Sequence, residues 1–452
     1  MKIIDHSVIV PVGDKHSLFV NTINGYIGVL NNSECKTIKS WISKGSVEGS
    51  ENANLLDELN SSGFIVEDES EEERTVSNIV NRCKARHDEA VAHKEEAVFV
   101  VTYKCNYACP YCYESANISS EERIMTKEQV DAVFSLYSNG IKKIAFFGGE
   151  PFLPETREIV KYIISKSPNS SFSTTTNGYY LYEFVSLFED VKTDFFVVTL
   201  DGTQKTHDQI RKLKDGRPTY ERIMAGIDNA LKNGIAIKIR MNVSKNNMED
   251  CIELRKKMIS DYVRYFEEGK LIFEMQPLFQ LTNEAKNDLY EKILFSSDNT
   301  GQYTASMNAL YYTTPHFLKV FMSPMPRFSI KYCFCDAEKQ RRFYDLDGNI
   351  YSCILSLRKK VASLGTYYPQ FTDKGNSIAY RNIETIEQCA KCKLKLLCGG
   401  GCALGTLDKL ENGEFAPNCT HINNQLFKQM PELFRKRLYE EEKRKMDNHN
   451  GS

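Results

Sequence analysis

The chain has 452 residues, 41% hydrophobic and 26% charged, which is enough for two or three domains with a substantial buried core. A formal net charge of −2 removes any electrostatic case for bulk nucleic-acid or anionic-membrane binding, and no apolar run approaches the roughly 20 residues that span a bilayer. The N-terminal stretch turns polar and acidic too early for a secretory signal, and fourteen cysteines, mostly clustered, point to reduced thiolates in an oxygen-sensitive cytoplasmic protein.

Residues 1–68 read as a separate unit. Short β-branched runs (SVIVPV, SLFV, GYIGVL) are broken by turns at Gly13-Asp14 and Asn24-Gly25. Two helical patterns follow, at about Ser33–Ser43 with Ile38, Trp41 and Ile42, and at about Asn52–Asn60 with Leu55, Leu56 and Leu59. A strand at Gly63–Val66 closes the unit. Residues 69–96 are expected to be a linker, its acidic run Glu67–Glu73 a solvated tether before a polar helical stretch.

From Ala97 to about Leu278 strand and helix patterns alternate. Strands are predicted at Ala97–Lys104, Ile141–Phe147, Ser171–Thr176, Phe195–Leu200, Ile235–Val243 and Leu271–Gln276, with a Thr126–Gln129 capping box opening the first helix. Such alternation implies a parallel sheet with right-handed crossovers, and chemistry at the C-terminal strand ends. Three cysteines follow the first strand, Cys105, Cys109 and Cys112 in CNYACPYC. CxxxCxxC suits an iron–sulfur cube: three thiolates bind three irons and leave the fourth open. Zinc usually takes CxxC pairs, and no fourth ligand lies nearby. The second strand ends in Gly148-Gly149-Glu150-Pro151, whose glycines permit close backbone approach and whose carboxylate suits an ammonium group. The third ends in Thr174–Gly178 (TTTNG) and the fourth in Thr199-Leu200-Asp201-Gly202, followed by His207-Asp208 and Arg211.

These motifs resemble the signature of the radical S-adenosylmethionine (SAM) superfamily. The resemblance implies an α/β fold built on a partial (β/α)6 barrel over 97–300, and a cluster held by Cys105, Cys109 and Cys112 whose open iron chelates SAM. One electron then yields a 5′-deoxyadenosyl radical. It also implies that Gly148, Gly149 and Glu150 receive the methionyl ammonium, that Thr199 and Arg211 contact SAM, that Tyr111 lies beside the adenine, and that Asn177 belongs to the same site. The plainer alternatives are a strand-end cap for Thr199 and a surface ion pair for Arg211; His207 reads as structural. Residues 1–68 look like the winged-helix-like, PqqD-like element that binds leader peptides by strand addition. A structural or DNA-binding winged helix is the alternative, and the segment has no basic face.

After a motif-free bridging region, 301–332, residues 333–419 carry eight cysteines: Cys333, Cys335, Cys353, Cys389, Cys392, Cys398, Cys402 and Cys419. The spacing C-x12-G-x4-C (Cys335, Gly348, Cys353) and C-x2-C-x5-C-x3-C resembles the SPASM domain, here 333–425, which houses two auxiliary [4Fe–4S] clusters. The family's interleaved ligation implies Cys389, Cys392, Cys398 and Cys419 for one cluster. Cys335, Cys353 and Cys402 would hold the other, with Cys333 an optional fourth ligand. Gly348 and the Gly399–Gly401 run are expected to let backbone wrap inorganic sulfur. A zinc ribbon is the competing reading. Cys35, Cys83 and Cys251 are isolated and read as ordinary residues. A charged helical tail, 426–452, is expected to pack on the surface.

This order of segments resembles maturases of ribosomally made peptides. The implied activity is thioether formation between a cysteine sulfur and a carbon of a precursor peptide, as in sactipeptide and ranthipeptide maturation. A flavodoxin- or ferredoxin-class protein would supply electrons. Carbon–carbon crosslinking, formylglycine formation as in anaerobic sulfatase maturation, and a non-catalytic or zinc-binding adaptor are the alternatives.

Overall fold

The computed structural model describes residues 1–47, 53–92, 96–114, 122–278, 327–335, 341–374, 378–435 and 438–439. Most of the bridging region 301–332 and the end of the tail therefore lie outside the described residues. Two compact units result: the described residues of 1–92, 315–338 and 380–452 form one, and those of 93–314 and 339–379 the other.

In the first unit, strands β2 (Ser7–Val12), β3 (His16–Asn21) and β4 (Ile27–Asn31) form an antiparallel meander. The predicted turns join them, with Gly13 at φ 62° and Gly25 at φ 77°, in the left-handed region where only glycine is unstrained. A short pair, β1 (Lys2–Ile3) with β5 (Ile65–Val66), stands beside it. Helix α1 (Asn32–Lys44) starts at a capping box of Asn31 and Glu34 and stops at left-handed Gly45. Alternation along β3 decides the packing. Phe19 meets Ile38 and Trp41 of α1, Leu55 and Leu59 of α2 (Ala53–Ser61), and Phe64, whose ring stacks on it at 4.1 Å. Leu18 and Val20 instead meet Ile422, Leu426, Met430 and Phe434.

Two expectations change here. The described start of the tail does not lie loosely on the surface: Ile422, Leu426, Met430 and Phe434 recur every four residues, form one apolar stripe, and are buried against the meander. Nor is the acidic run wholly solvated. Residues 69–92 form one helix, α3 (Glu69–Ala92), and Glu72 on it is 3% exposed. Its carboxylate accepts the backbone N–H groups of Asp5 (3.0 Å) and His6 (2.8 Å) and the His6 Nδ1–H (2.8 Å), and pairs with Lys2 at 3.3 Å. Burial alone would raise its pKa, but these partners prevail and hold it near about 2.

The second unit carries the predicted α/β alternation. Strands β6 (Glu96–Thr102), β7 (Lys143–Gly148), β8 (Ser171–Thr176), β9 (Lys192–Thr199), β10 (Ile237–Val243) and β11 (Leu271–Pro277) pair in parallel, in chain order. Helix α4 (Lys127–Ser135) opens with the Thr126–Gln129 capping box, and α5 (Arg157–Lys166), α6 (Leu181–Phe184), α7 (Gln204–Ile210), α8 (Tyr220–Lys232) and α9 (Met248–Asp261) fill the crossovers. Ile237, Ile239, Met241 and Val243 join the core shared with α8 and α9, while Arg240 and Asn242 point the other way.

The sheet does not end at β6. Strand β12 (Arg341–Tyr344) adds to it in parallel, and β13 (Asn349–Tyr351), β14 (Gly365–Thr366) and β15 (Thr372–Asp373) continue it antiparallel. Segment 333–425 is thus divided between the two units, with Cys353 in the barrel unit. No helix among the described residues is long and apolar enough to cross a membrane.

Candidate active site

The end of β6 launches the Cys105–Cys112 loop, and the chain after α7 pins it. Ala108 N–H donates to Lys212 O (3.3 Å), Lys214 N–H donates to Asn106 O (3.0 Å), and Tyr107 bridges Leu213. Cys105 is buried beneath the Tyr107 N–H (3.4 Å from Sγ) and the Asn177 amide (3.9 Å). Burial, with help from the Glu150 charge, pushes its thiol up to about 12; burial also raises Cys109 and Cys112, and the Arg211 charge opposes the rise at all three.

The β7 end meets the same loop. A Cβ on Gly148 (φ 140°) would sit 2.0 Å from Thr102 O, and one on Gly149 would sit 2.4 Å from Lys104 O. The two glycines thus fasten β7 to the strand carrying the cysteines, because a neighbouring backbone leaves no room for a side chain at either. Gly149 N–H donates to Thr102 O (2.9 Å) and Glu150 N–H to Lys104 O (2.9 Å).

Glu150 is 1% exposed. Its Oε1 accepts the Thr176 hydroxyl (2.6 Å) and the Phe152 N–H (2.9 Å); its Oε2 accepts the Asn177 N–H (2.6 Å). Burial nevertheless raises its pKa to about 7 against those bonds. A carboxylate has about four lone-pair sites, so one on Oε2 remains for a ligand donor. Asn177 joins this carboxylate to the cysteine loop, since its amide also donates to Asn106 Oδ1 at 2.7 Å.

Across the strand ends, Arg211 Nη1 donates to the Tyr111 hydroxyl (2.7 Å), which donates to Asp201 Oδ2, itself 3.7 Å from Arg211 Nη1. Asp201 Oδ1 accepts the Asn242 N–H (2.7 Å), and burial pushes the carboxyl up to about 6, with Arg211 opposing. Arg211 is therefore buried rather than part of a surface ion pair, and its Nε has no hydrogen-bond partner. Thr199 is buried at the end of β9, one residue before Leu200, whose N–H donates to Arg240 O (2.9 Å). His207 is structural. Its Nδ1 accepts the Asp201 N–H (3.3 Å), so Nε2 carries the proton toward Thr219 Oγ1 (3.1 Å), whose hydroxyl donates to Arg211 O (2.7 Å). Burial holds its pKa near about 3. The functional reading of the sequence missed Asp201 and Asn242; LDG contains Asp201, but its partner lies 41 residues on.

The residues fit SAM and a three-thiolate cluster. Glu150 offers one acceptor to an ammonium, and Arg211 Nε is a buried donor without a partner, suited to a carboxylate. Among the described residues no three His, Cys, Asp or Glu side chains converge on a single metal ion. A cube asks less, because each thiolate binds its own iron.

In the first unit, Cys389, Cys392, Cys398 and Cys419 lie within electrostatic reach of one another. Cys333 is also buried, its Sγ 3.6 Å from His87 Nδ1 and donating to Cys335 O at 3.6 Å. Cys335 and Cys419 are exposed, and Cys402 is half-buried, as is Cys353 in the other unit. The glycines near these cysteines pack on protein. A Cβ on Gly348 would meet Tyr368 O, one on Gly399 the Cys333 carbonyl, and one on Gly401 Asn418 O.

Residues 99–258 match the family model of the radical SAM superfamily. The chain is 29% identical over 160 residues to the Fe-coproporphyrin III synthase of Methanosarcina barkeri, covering 35% of this chain and 39% of that one. It spans 39 to 54% of the first three curated relatives it matches. Similarity to the serine-type anaerobic sulfatase-maturating enzyme of Bacteroides thetaiotaomicron is lower, 24% over 351 residues, but covers 69% of this chain and 82% of that enzyme. Among solved structures, anSMEcpe with bound AdoMet and Kp18Cys peptide superposes with a TM-score of 0.54 at 17% identity, over 75% of this chain and 98% of that one. SuiB of Streptococcus suis bound to S-adenosylmethionine gives 0.51 at 15%, over 92% and 99%. The strand-end constellation of three thiols, Glu150 and Arg211 thus lies within residues 99–258, the part of the α/β fold that matches the radical SAM superfamily model.

Proposed function

We propose that the protein is a radical SAM maturase that forms thioether crosslinks, cysteine sulfur to carbon, in a ribosomally made precursor peptide. The observation carrying this reading is the pairing of two cysteine systems in one chain: the Cys105–Cys112 loop at the strand ends, and the gathered Cys389, Cys392, Cys398 and Cys419. SAM on a reduced [4Fe–4S] cluster supplies a carbon radical that removes a substrate hydrogen. Around it, Cys105, Cys109 and Cys112 hold the cluster, Glu150 orients the ammonium of SAM, and Arg211, fixed by Tyr111 and Asp201, orients its carboxylate. Cys389, Cys392, Cys398 and Cys419 would hold an auxiliary cluster, which would supply an acceptor for the electron left when sulfur joins carbon, and a flavodoxin- or ferredoxin-class donor would supply the first electron.

Residues 1–68 bind the leader segment as an added strand. The meander order leaves β2 and β4 as edges, and Pro11 removes one donor from β2. SuiB, whose fold extends over 92% of this chain, has been solved bound to its precursor peptide SuiA, which supports a peptide substrate here. Anaerobically reconstituted protein, SAM, reductant and a cysteine-containing precursor should give a product two hydrogens lighter with one thiol no longer alkylatable. Unchanged peptide mass alongside deoxyadenosine release would reject the crosslinking reading. The extended similarity to a sulfatase-maturating enzyme favours formylglycine formation as the second reading, and an aldehyde in the product would establish it.

A further inference from the structure

Arg381 is buried at 2% exposure in the first unit. Its Nη2 donates to Gly400 O (2.5 Å) and Ala416 O (2.7 Å), its Nε to Ala416 O (3.2 Å), and its Nη1 to Gly401 O. Gly400 and Gly401 lie in the loop between Cys398 and Cys402, and Ala416 lies three residues before Cys419. The loops are further tied by the Asn418 N–H to Gly400 O (2.9 Å) and the Asn418 amide to Cys402 O (3.1 Å). One guanidinium therefore ties the Cys398–Cys402 loop to the segment that leads into Cys419.

Tying carbonyls together does not by itself call for a cation. A buried charge costs several kcal/mol unless a compensating group stands within reach. Cluster-bound thiolates on Cys389, Cys392, Cys398 and Cys419 would provide one, since the Arg381 charge acts directly on Cys389, which in turn lies within reach of the other three. A four-thiolate [4Fe–4S] centre is net negative and gains a further negative charge on reduction, so a fixed cation beside it favours the reduced form.

We propose that Arg381 is a positioning residue for an auxiliary centre on Cys389, Cys392, Cys398 and Cys419, and that its positive charge raises that centre's reduction potential. This rests on the cluster reading above. Arg381 takes no part in substrate or SAM binding; it acts through the cysteine loops.

The test uses the full chain, reconstituted anaerobically, with Cys105, Cys109 and Cys112 changed to alanine so that the remaining iron is auxiliary. The signal of this centre is the electron paramagnetic resonance signal lost in Cys389→Ala. In Arg381→Met its midpoint should fall by at least a tenfold change in the reduction equilibrium, about 59 mV for one electron. Arg381→Lys, which keeps the charge and loses the fork, should stay nearer the parent. Loss of the centre in the Met variant but not the Lys variant would also support the role of charge. An unmoved midpoint in the Met variant, or equal behaviour of the two variants including equal loss of iron, would overturn it. Absence of Cys389-dependent iron and sulfide in the parent would overturn the cluster reading itself, and would show before any Arg381 variant is made.

Discussion

Changing Glu150 to glutamine separates the two jobs that this carboxylate does. In the native site it accepts three donors, the Thr176 hydroxyl and the Phe152 and Asn177 N–H groups, and keeps one acceptor site on Oε2. A glutamine amide has only one oxygen. Whichever way it turns, its NH2 faces either the Phe152 or the Asn177 N–H, and one buried donor goes unmet at about 1–3 kcal/mol. Against this, the native pKa of about 7 means that an ionised Glu150 is itself disfavoured in the unliganded fold. The displacement from the ordinary 4.5 corresponds to about 3 kcal/mol. The sign follows from the raised value: the contribution to stability is full below pH 4.5 and is lost as pH rises through about 7. At pH 8 the two effects nearly cancel, so the melting temperature of Glu150→Gln should lie close to the parent's. SAM binding should not survive as well. A charge-assisted hydrogen bond is worth about 1.5–3 kcal/mol, which predicts roughly 10- to 100-fold weaker binding. In the parent, protons compete with the SAM ammonium for Glu150, so affinity should rise with pH up to about 7 more steeply than in the variant. Equilibrium dialysis with labelled SAM between pH 6 and 8, under anaerobic conditions, measures both. Equal affinities with parallel pH profiles would refute the assignment of Glu150 to SAM.

Gly149→Ala places a methyl against the carbonyls of Tyr103 and Lys104, so the strand ends must part; a loss of about 1–3 kcal/mol in stability and of iron from the Cys105 cluster is expected by denaturation and iron analysis. Glu72→Gln should destabilise the protein by about 3 kcal/mol at pH 7 in urea unfolding. Because the native pKa is depressed, that stabilisation is present above pH 4.5 and disappears as pH falls through about 2, so the gap between parent and variant should narrow over that window. Leu426→Ala, at a fully buried position against the meander, should cost about 2–5 kcal/mol by the same assay, whereas a tail packed loosely on the surface would show almost no change.

The barrel was legible because its signals are local. Each parallel strand is a short apolar run between helical patterns, and the Thr126–Gln129 box marks a helix start in four residues. The cysteine spacings were legible for the same reason. What escaped was whatever depends on a partner distant in sequence. Arg341–Tyr344 is four residues long, has no period to read, and becomes a barrel strand only because the edge of β6 is available to it. Glu72 looks like its acidic neighbours, and nothing local shows that the amides of Asp5 and His6 point at it. Asp201 is visible in LDG, yet its role depends on Tyr111, Arg211 and Asn242, which come from three other segments. The tail is the exception, since its four-residue apolar spacing was there to be read and its charge density hid it.

The glycines show how a short motif also answers to packing that its spacing does not reveal. At Gly148, Gly149, Gly399 and Gly401 the space that a Cβ would need is filled by another backbone, and at Gly400 by the Ile386 side chain. Thr102 and Lys104 carbonyls lie under the first pair; the Cys333 carbonyl and Asn418 O lie under Gly399 and Gly401. The cysteine-bearing segments are therefore held by backbone packed on backbone, with Glu150 and Asn177 beside one set and Arg381 beside the other. At the Cys105–Cys112 loop, rigidity of this kind suits a cofactor that must keep one coordination site open. A loop free to move could bring a fourth ligand to the open iron, whereas a loop fixed by glycine contacts keeps that position for the substrate of the chemistry.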